Sequence, residues 1–231
     1  MKEQQKKYEL TGEFIEHWSG KKLYRIRALV SFGVVVTGQL GGFVESEKNL
    51  DQSLSGNAWV YGDARVYGDA RVYGDARVYG NAEVYGNAEV YGDARVSGDA
   101  RVSGDAEVYG DARVYGNAEV YGDARVYGNA EVYGDARVSG DAWVYGDARV
   151  RSYAVIYERK MIFWASNVGS ENGTLTVFNG KDGLIVTRGC FTGAVDEFLA
   201  KSAEVHDDKT KNEYKLLIEV AKSRILGVKD E

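Results

Sequence analysis

Two histidines, His17 and His206, and one cysteine, Cys190, are the side chains whose types offer general-base or nucleophilic chemistry in this 231-residue sequence. The histidines lie far apart, one near each end, and a lone His is more often structural than catalytic. Cys190 sits in Arg188-Gly189-Cys190-Phe191, just before a predicted helix, where the helix amino terminus and Arg188 would favour the thiolate. No His neighbours it in sequence to act as its base, so the expectation is a buried, inert thiol. A single Cys cannot form an intramolecular disulfide or a zinc knuckle, and it fits a reducing compartment. Glycines recur every six residues beside acidic residues, with no GxxxxGK[ST] string, so no nucleotide hydrolase is read. Calcium β-rolls use nine-residue units, and the unit here is six. The sequence therefore assigns no catalytic, cofactor-binding or metal-ligating residue.

What must position any functional group is an internal repeat. From Ser55 to Val150 the chain reads as sixteen six-residue units with the consensus Tyr-Gly-Asp-Ala-Arg-Val. Ala and Val alternate with an outward polar residue, as in Ala64-Arg65-Val66, which is the period-two pattern of a short strand. Tyr-Gly-Asp or Tyr-Gly-Asn follows, and Gly and Asp or Asn are the types that tolerate positive φ at a tight corner. Strands this short cannot bury a face alone, so the units must coil and stack around a ladder of Ala and Val. The 29 Gly with no Pro fit regular corners, and the hydrophobic (44%) and charged (28%) fractions are those of a globular protein.

Such hexapeptides resemble those of left-handed parallel β-helix proteins, in which three units make one triangular coil. The resemblance covers residues 55 to 150 and implies about five coils, roughly 25 Å of rod at the usual strand spacing. On three faces the outward residues become columns. One carries Arg65, Glu83, Arg101, Glu119 and Arg137; a second Trp59, Arg77, Arg95, Arg113, Glu131 and Arg149; a third Arg71, Glu89, Glu107, Arg125 and Trp143. Twelve of the seventeen Tyr line the corners, Tyr73 and Tyr91 among them, while Ser97, Ser103 and Ser139 interrupt the rows. Stacked rings and Arg/Glu pairs stabilise successive coils by about 0.2–1 kcal/mol each. Exposed Tyr interleaved with Arg is equally what protein interfaces and stacking sites are made of. The candidate binding surface is Trp59, Tyr73, Arg77, Tyr91, Arg95, Ser97, Ser103, Arg113, Ser139 and Trp143.

The flanks read as covers for the open ends of the coil. Residues 1–54 form a β-rich amino-terminal cap, with runs Tyr8 to Trp18 and Lys22 to Phe32 around the turn Ser19-Gly20-Lys21. Residues 55–156 form the β-helix. Residues 157–231 form an α+β domain in which three or four strands precede two helices, one capped by Thr192 with Val195, Phe198, Leu199 and Val205 inward. The second opens on a Thr210/Glu213 capping box, with Tyr214, Leu217, Ile218, Ala221 and Ile225 inward. The fold class expected is thus mainly β.

Leu40-Gly41-Gly42-Phe43-Val44-Glu45, leading into Gly56-Asn57-Ala58-Trp59-Val60, resembles a bacteriophage and prophage family labelled hexapeptide acyltransferases. Phe163-Trp164-Ala165-Ser166 with Arg188-Gly189-Cys190-Phe191 resembles a small domain of phage proteins. Acyltransferases of this class use a His beside the coil and loops projecting from it, and no loop interrupts these units. Carbonic anhydrases of the same fold need three different histidines for zinc, and this chain has two.

These readings lead to a non-catalytic, phage- or prophage-encoded binding or scaffold protein without a cofactor. It packs with copies of itself, as in a trimer, in the cytoplasm of a bacterial host, and sequesters or blocks a host protein or nucleotide-like ligand. A formal net charge of -6 argues against direct nucleic-acid or membrane binding, since nine Arg face sixteen acids in residues 55 to 150. The rivals are an acyl-CoA-dependent acyltransferase and a purely structural spacer.

Overall fold

The computed structural model describes residues 5–227. Strands β1 (Tyr8–Glu16), β2 (Lys22–Ala28) and β3 (Leu40–Val44) form an antiparallel cap. From Trp59–Val60 to Arg149–Val150, short strands recur every six residues, each opening with an outward residue followed by an inward Val. Each but the last two pairs in parallel with the strand three units further on, as Arg65 with Glu83 and Val66 with Val84. The result is a β-solenoid with three sheets as its sides, carrying the three outward columns read from the sequence.

The solenoid has about six turns rather than five. Parallel pairing begins upstream of the hexapeptides, where Phe43 lies beside Arg65 and Leu50 beside Val72. This first coil has no hexapeptide pattern, because its groups are satisfied by side chains as well as by a ladder. The Asn49 amide donates to the carbonyls of Gly68 and Ala70 at 3.0 and 2.9 Å.

The corners differ in detail from expectation. Only Gly takes positive φ; the following Asp or Asn does not, and its backbone N–H donates to the Gly of the next coil, as Asp69 to Gly86 at 2.8 Å. Gly is required twice over. At Gly104, φ is 69°, and a Cβ would come within 2.8 Å of the Gly122 nitrogen. Each Asn of the repeat sits above an Asp, and Asn81, Asn87, Asn117 and Asn129 donate to Asp99, Asp105, Asp135 and Asp147 at 2.8–3.0 Å. Asn thus replaces a stacked carboxylate pair by a hydrogen bond. Inside, Ala and Val of every coil are buried in one continuous core.

Both ends are covered. On the amino side, β3 extends one solenoid sheet, and the buried Lys7 ammonium donates to the Gly56 carbonyl at 3.0 Å while lying over the Phe32 ring. On the carboxyl side, an antiparallel sheet (Ile162–Val168, Gly173–Gly180, Gly183–Arg188, Phe191–Ala194) meets the last coil. Its buried threonines satisfy a strand edge: Arg149 N–H donates to Thr176 Oγ1 at 3.1 Å, and Thr187 Oγ1 donates to the Arg149 carbonyl at 2.8 Å.

Helices α1 (Val195–Val205) and α2 (Asp208–Leu226) pack on this sheet. Their caps are not those expected. Thr192 lies in a strand; Glu197 instead reaches back to the Ala194 N–H at 2.9 Å. Asp207 caps α2 through the Thr210 N–H at 2.8 Å, so Thr210 is already inside the helix. Val205, expected inward, is exposed. Among the described residues, no helix is long and apolar enough to cross a membrane.

Thr187→Val should destabilise the protein by about 1–3 kcal/mol in urea titration, since the buried Arg149 carbonyl loses its donor. Deleting one whole coil of three hexapeptides should preserve folding by circular dichroism, while deleting a single hexapeptide should not, because only the former keeps each column in register.

Candidate binding surface

Tyr side chains leave the corners and lie along the rod, each leaning over the outward residue of the next coil. Where that residue is Glu, the phenol donates to it, as Tyr73 to Glu89 at 2.7 Å and Tyr91 to Glu107 at 3.1 Å. One corner is uninterrupted: Tyr73, Tyr91, Tyr109, Tyr127 and Tyr145 stack with centroids 4.8–5.0 Å apart and planes within 3°. The carboxyl end of this stack is closed edge-on by Trp164, 4.1 Å from Tyr145. Beside it, the partly exposed Trp143 is held under the Arg159 guanidinium, 3.8 Å from its centroid. Tyr73, Tyr91 and Trp143 therefore share one edge.

The other two corners are broken. The first runs Tyr61, Tyr79, Ser97, Tyr115, Tyr133; the second Tyr67, Tyr85, Ser103, Tyr121, Ser139, Tyr157. Ser103 leaves a gap in its row, a cavity of about 250 Å³ lined by Tyr85, Arg101, Ser103, Glu119 and Tyr121. Tyr121, with Ser on both sides of it in the column, is 40% exposed.

The outward charges follow two regimes. Every outward Glu of the repeat has an Arg within 4 Å, as Glu83 with Arg65 at 2.9 Å and Glu107 with Arg125 at 3.2 Å. The row Arg77, Arg95, Arg113 is the exception, for these residues pair directly with one another across successive coils. Arg113 reaches Glu131 at 3.7 Å, but among the described residues neither Arg77 nor Arg95 has a carboxylate within 4 Å. Arg77, Tyr61, Tyr79, Arg95 and Val34 of the cap line a cavity of about 430 Å³.

Trp59, expected on this surface, is not there. The cap folds over it, with Tyr8 and Phe32 edge-on at 6.0 and 5.4 Å, and it is fully buried. It lies on the first full coil, and its face alone is sealed by the cap, since Arg65 and Arg71 of the same coil reach water.

The cysteine, unlike the histidines, is placed differently from the sequence reading. His17 is buried, its Nδ1 2.7 Å from Ser19 Oγ and its ring 4.6 Å from Tyr67. Cys190 is exposed, which corrects the expectation of a buried thiol. It lines a cavity of about 200 Å³ with Arg188, Ser202, His206 and Tyr214, a convergence of α1 and the sheet that sequence distance concealed.

The ladder responds to alkali. Burial, then a hydrogen bond to the Glu107 carboxylate, pushes the Tyr91 phenol up to about 12; burial and the Glu131 charge do the same for Tyr115. Because the unfolded chain ionises first, near the ordinary value of 10, this stabilisation is complete below pH 10 and lost as pH rises towards 12. Phenolate absorbance followed with circular dichroism should show that decline, and Tyr91→Phe with Tyr115→Phe should make it shallower.

A family model described as the YdcK beta solenoid repeat matches residues 58–74, 64–80, 70–86, 88–104, 94–110 and 130–146. All of these lie within the coil and together span less than half of the chain. A search of curated proteins returned no match. The matched repeat and the three parallel sheets make this chain a repeat β-helix protein.

Proposed function

We propose that the protein is a non-catalytic binding scaffold that uses its solenoid faces to sequester an anionic, aromatic ligand of nucleotide type. The observation that carries this reading is the Arg77–Arg95–Arg113 row. Stacked like charges destabilise a sheet, and every Arg of the repeat except Arg77 and Arg95 has a Glu within 4 Å, including those beside the stacked pair Glu89 and Glu107. A row in which Arg77 and Arg95 have no carboxylate within 4 Å among the described residues, beside Tyr rings, serves an anion better than it serves the fold.

With this reading go a left-handed coil, assembly with copies of itself as a trimer, a phage or prophage origin and action in the host cytoplasm. The exposed Tyr121 and Tyr79 and the resemblance of the flanks support them. Removal of a host signalling molecule or obstruction of a host protein is the biological role such a scaffold would fill.

The rival acyltransferase is favoured only by His206 and Cys190 sharing one cavity. At about 200 Å³ that cavity is smaller than the roughly 300–1,000 Å³ of ordinary small-molecule pockets, and coenzyme A is a large ligand.

Native mass spectrometry of protein purified gently from bacterial cells tests the proposal. The expected result is an oligomer that retains a phosphate-bearing aromatic molecule, released chemically unchanged on denaturation. A coenzyme A adduct or an acylated product would overturn it in favour of the transferase.

A further inference from the structure

We propose that the corner position vacated at Ser97 is a slot for one nucleobase, stacked between Tyr79 and Tyr115, with the nucleotide's phosphate held by Arg77 and Arg95. This rests on the scaffold reading above and names its ligand class and its site.

The spacing comes from the coil. Where Tyr rings one coil apart stack, they do so at 4.7–5.1 Å with planes within 6°; Tyr61 and Tyr79, in the Ser97 corner, are not stacked. Replacing the middle ring by Ser97 leaves Tyr79 and Tyr115 two coil steps apart, roughly 9.6 Å. With Tyr79 turned into the ladder pose that Tyr115 already holds, one flat ring placed midway sits about 4.8 Å from each, inside the stacking range. Two rings do not fit, and an aliphatic group leaves both faces poorly covered.

The floor of the slot is fixed, since Tyr115 stacks on Tyr133 at 4.7 Å and its phenol lies 3.5 Å from Glu131. Tyr79 is 38% exposed and stacks on no ring among the described residues. The space left by a lost ring is visible directly at the equivalent Ser103 position, where Tyr85 and Tyr121 bound a cavity of about 250 Å³.

Charge selects Ser97 over the other two gaps. By the leaning geometry of the corner, a ring at position 97 lies over Arg113, which Glu131 engages at 3.7 Å, with Arg95 at its own strand and Arg77 one coil above, neither of which has a carboxylate within 4 Å among the described residues. The Ser103 gap is instead flanked by Arg101 and Glu119, 4.0 Å apart, which neutralise each other. Near Ser139, Arg137 is engaged by Glu119 at 3.4 Å. A protein's aromatic side chain would fill the Ser97 slot equally well but would leave Arg77 and Arg95 without an anion. The corner Asp residues, Asp93, Asp99 and Asp111, would repel the flanking phosphates of a nucleic-acid strand, so a free nucleotide is the occupant.

Calorimetric titration of the full chain with AMP, GMP, CMP and UMP tests the slot, with adenosine and inorganic phosphate as half-ligands. Purine nucleotides should bind best, and each half-ligand at least about tenfold more weakly, because stacking and charge each supply part of the affinity. Ser97→Tyr restores the consensus ring, should fold at least as stably, and should weaken AMP binding about tenfold or more. Ser103→Tyr, which fills the neutral gap, should leave it unchanged, and Arg95→Gln should weaken AMP but not adenosine. Equal AMP affinity in Ser97→Tyr and the parent, or no binding by any of the four nucleotides below millimolar concentrations, would overturn the slot. If native mass spectrometry then still shows a retained anionic aromatic ligand, the slot alone has failed; if it shows none, the scaffold reading fails with it.

Discussion

Parallel pairing between strands three hexapeptides apart is the constraint on which the rest of this molecule depends. Every coil donates its backbone N–H groups to the coil below, with bonds of 2.8–3.1 Å repeated from Trp59 to Ser139. Within the hexapeptides that spacing places Gly at every corner, where φ near +70° and the approach of the next coil's backbone both disfavour a Cβ. It also places chemically equivalent side chains one strand spacing apart, so any property of the repeat becomes a column. Rings become a stack, opposite charges a zipper and like charges a concentrated field.

Departures from the consensus acquire meaning through this geometry. Asn replaces Asp above another Asp, and a repulsion becomes a hydrogen bond. Glu replaces Arg where Arg lies above or below, and where a phenol can donate to it. These substitutions serve the fold. The Arg77–Arg95–Arg113 row runs against the same logic, and the Ser at position 97 removes bulk beside it. Two Arg without a carboxylate thus lie beside a missing ring.

The ends show how an irregular sequence solves the same problem by other means. Where the repeat stops, unpaired strand groups need partners, and they find the Asn49 amide, the Lys7 ammonium and the hydroxyls of Thr176 and Thr187. The cap also changes what an outward position means, since Trp59 belongs to the same column as Arg77 yet is sealed under Tyr8 and Phe32.

The hexapeptides alone determined a stacked coil with inward Ala and Val, because a six-residue period leaves one register that buries every apolar side chain. Three units to a turn, and with it the membership of each outward column, followed from the resemblance to parallel β-helix proteins and is what the sheet pairing shows. The gaps at Ser97, Ser103 and Ser139 were likewise legible as breaks in a pattern. Only the tertiary structure decided which of those positions face water, which Arg lack a carboxylate, and that Cys190 and His206 line one cavity. The helix caps and the first coil were also beyond the repeat's reach. In each case the deciding partner is distant in sequence, contributed by a loop, a cap or a helix that carries no period, and contacts of that kind arise only when the chain has closed on itself.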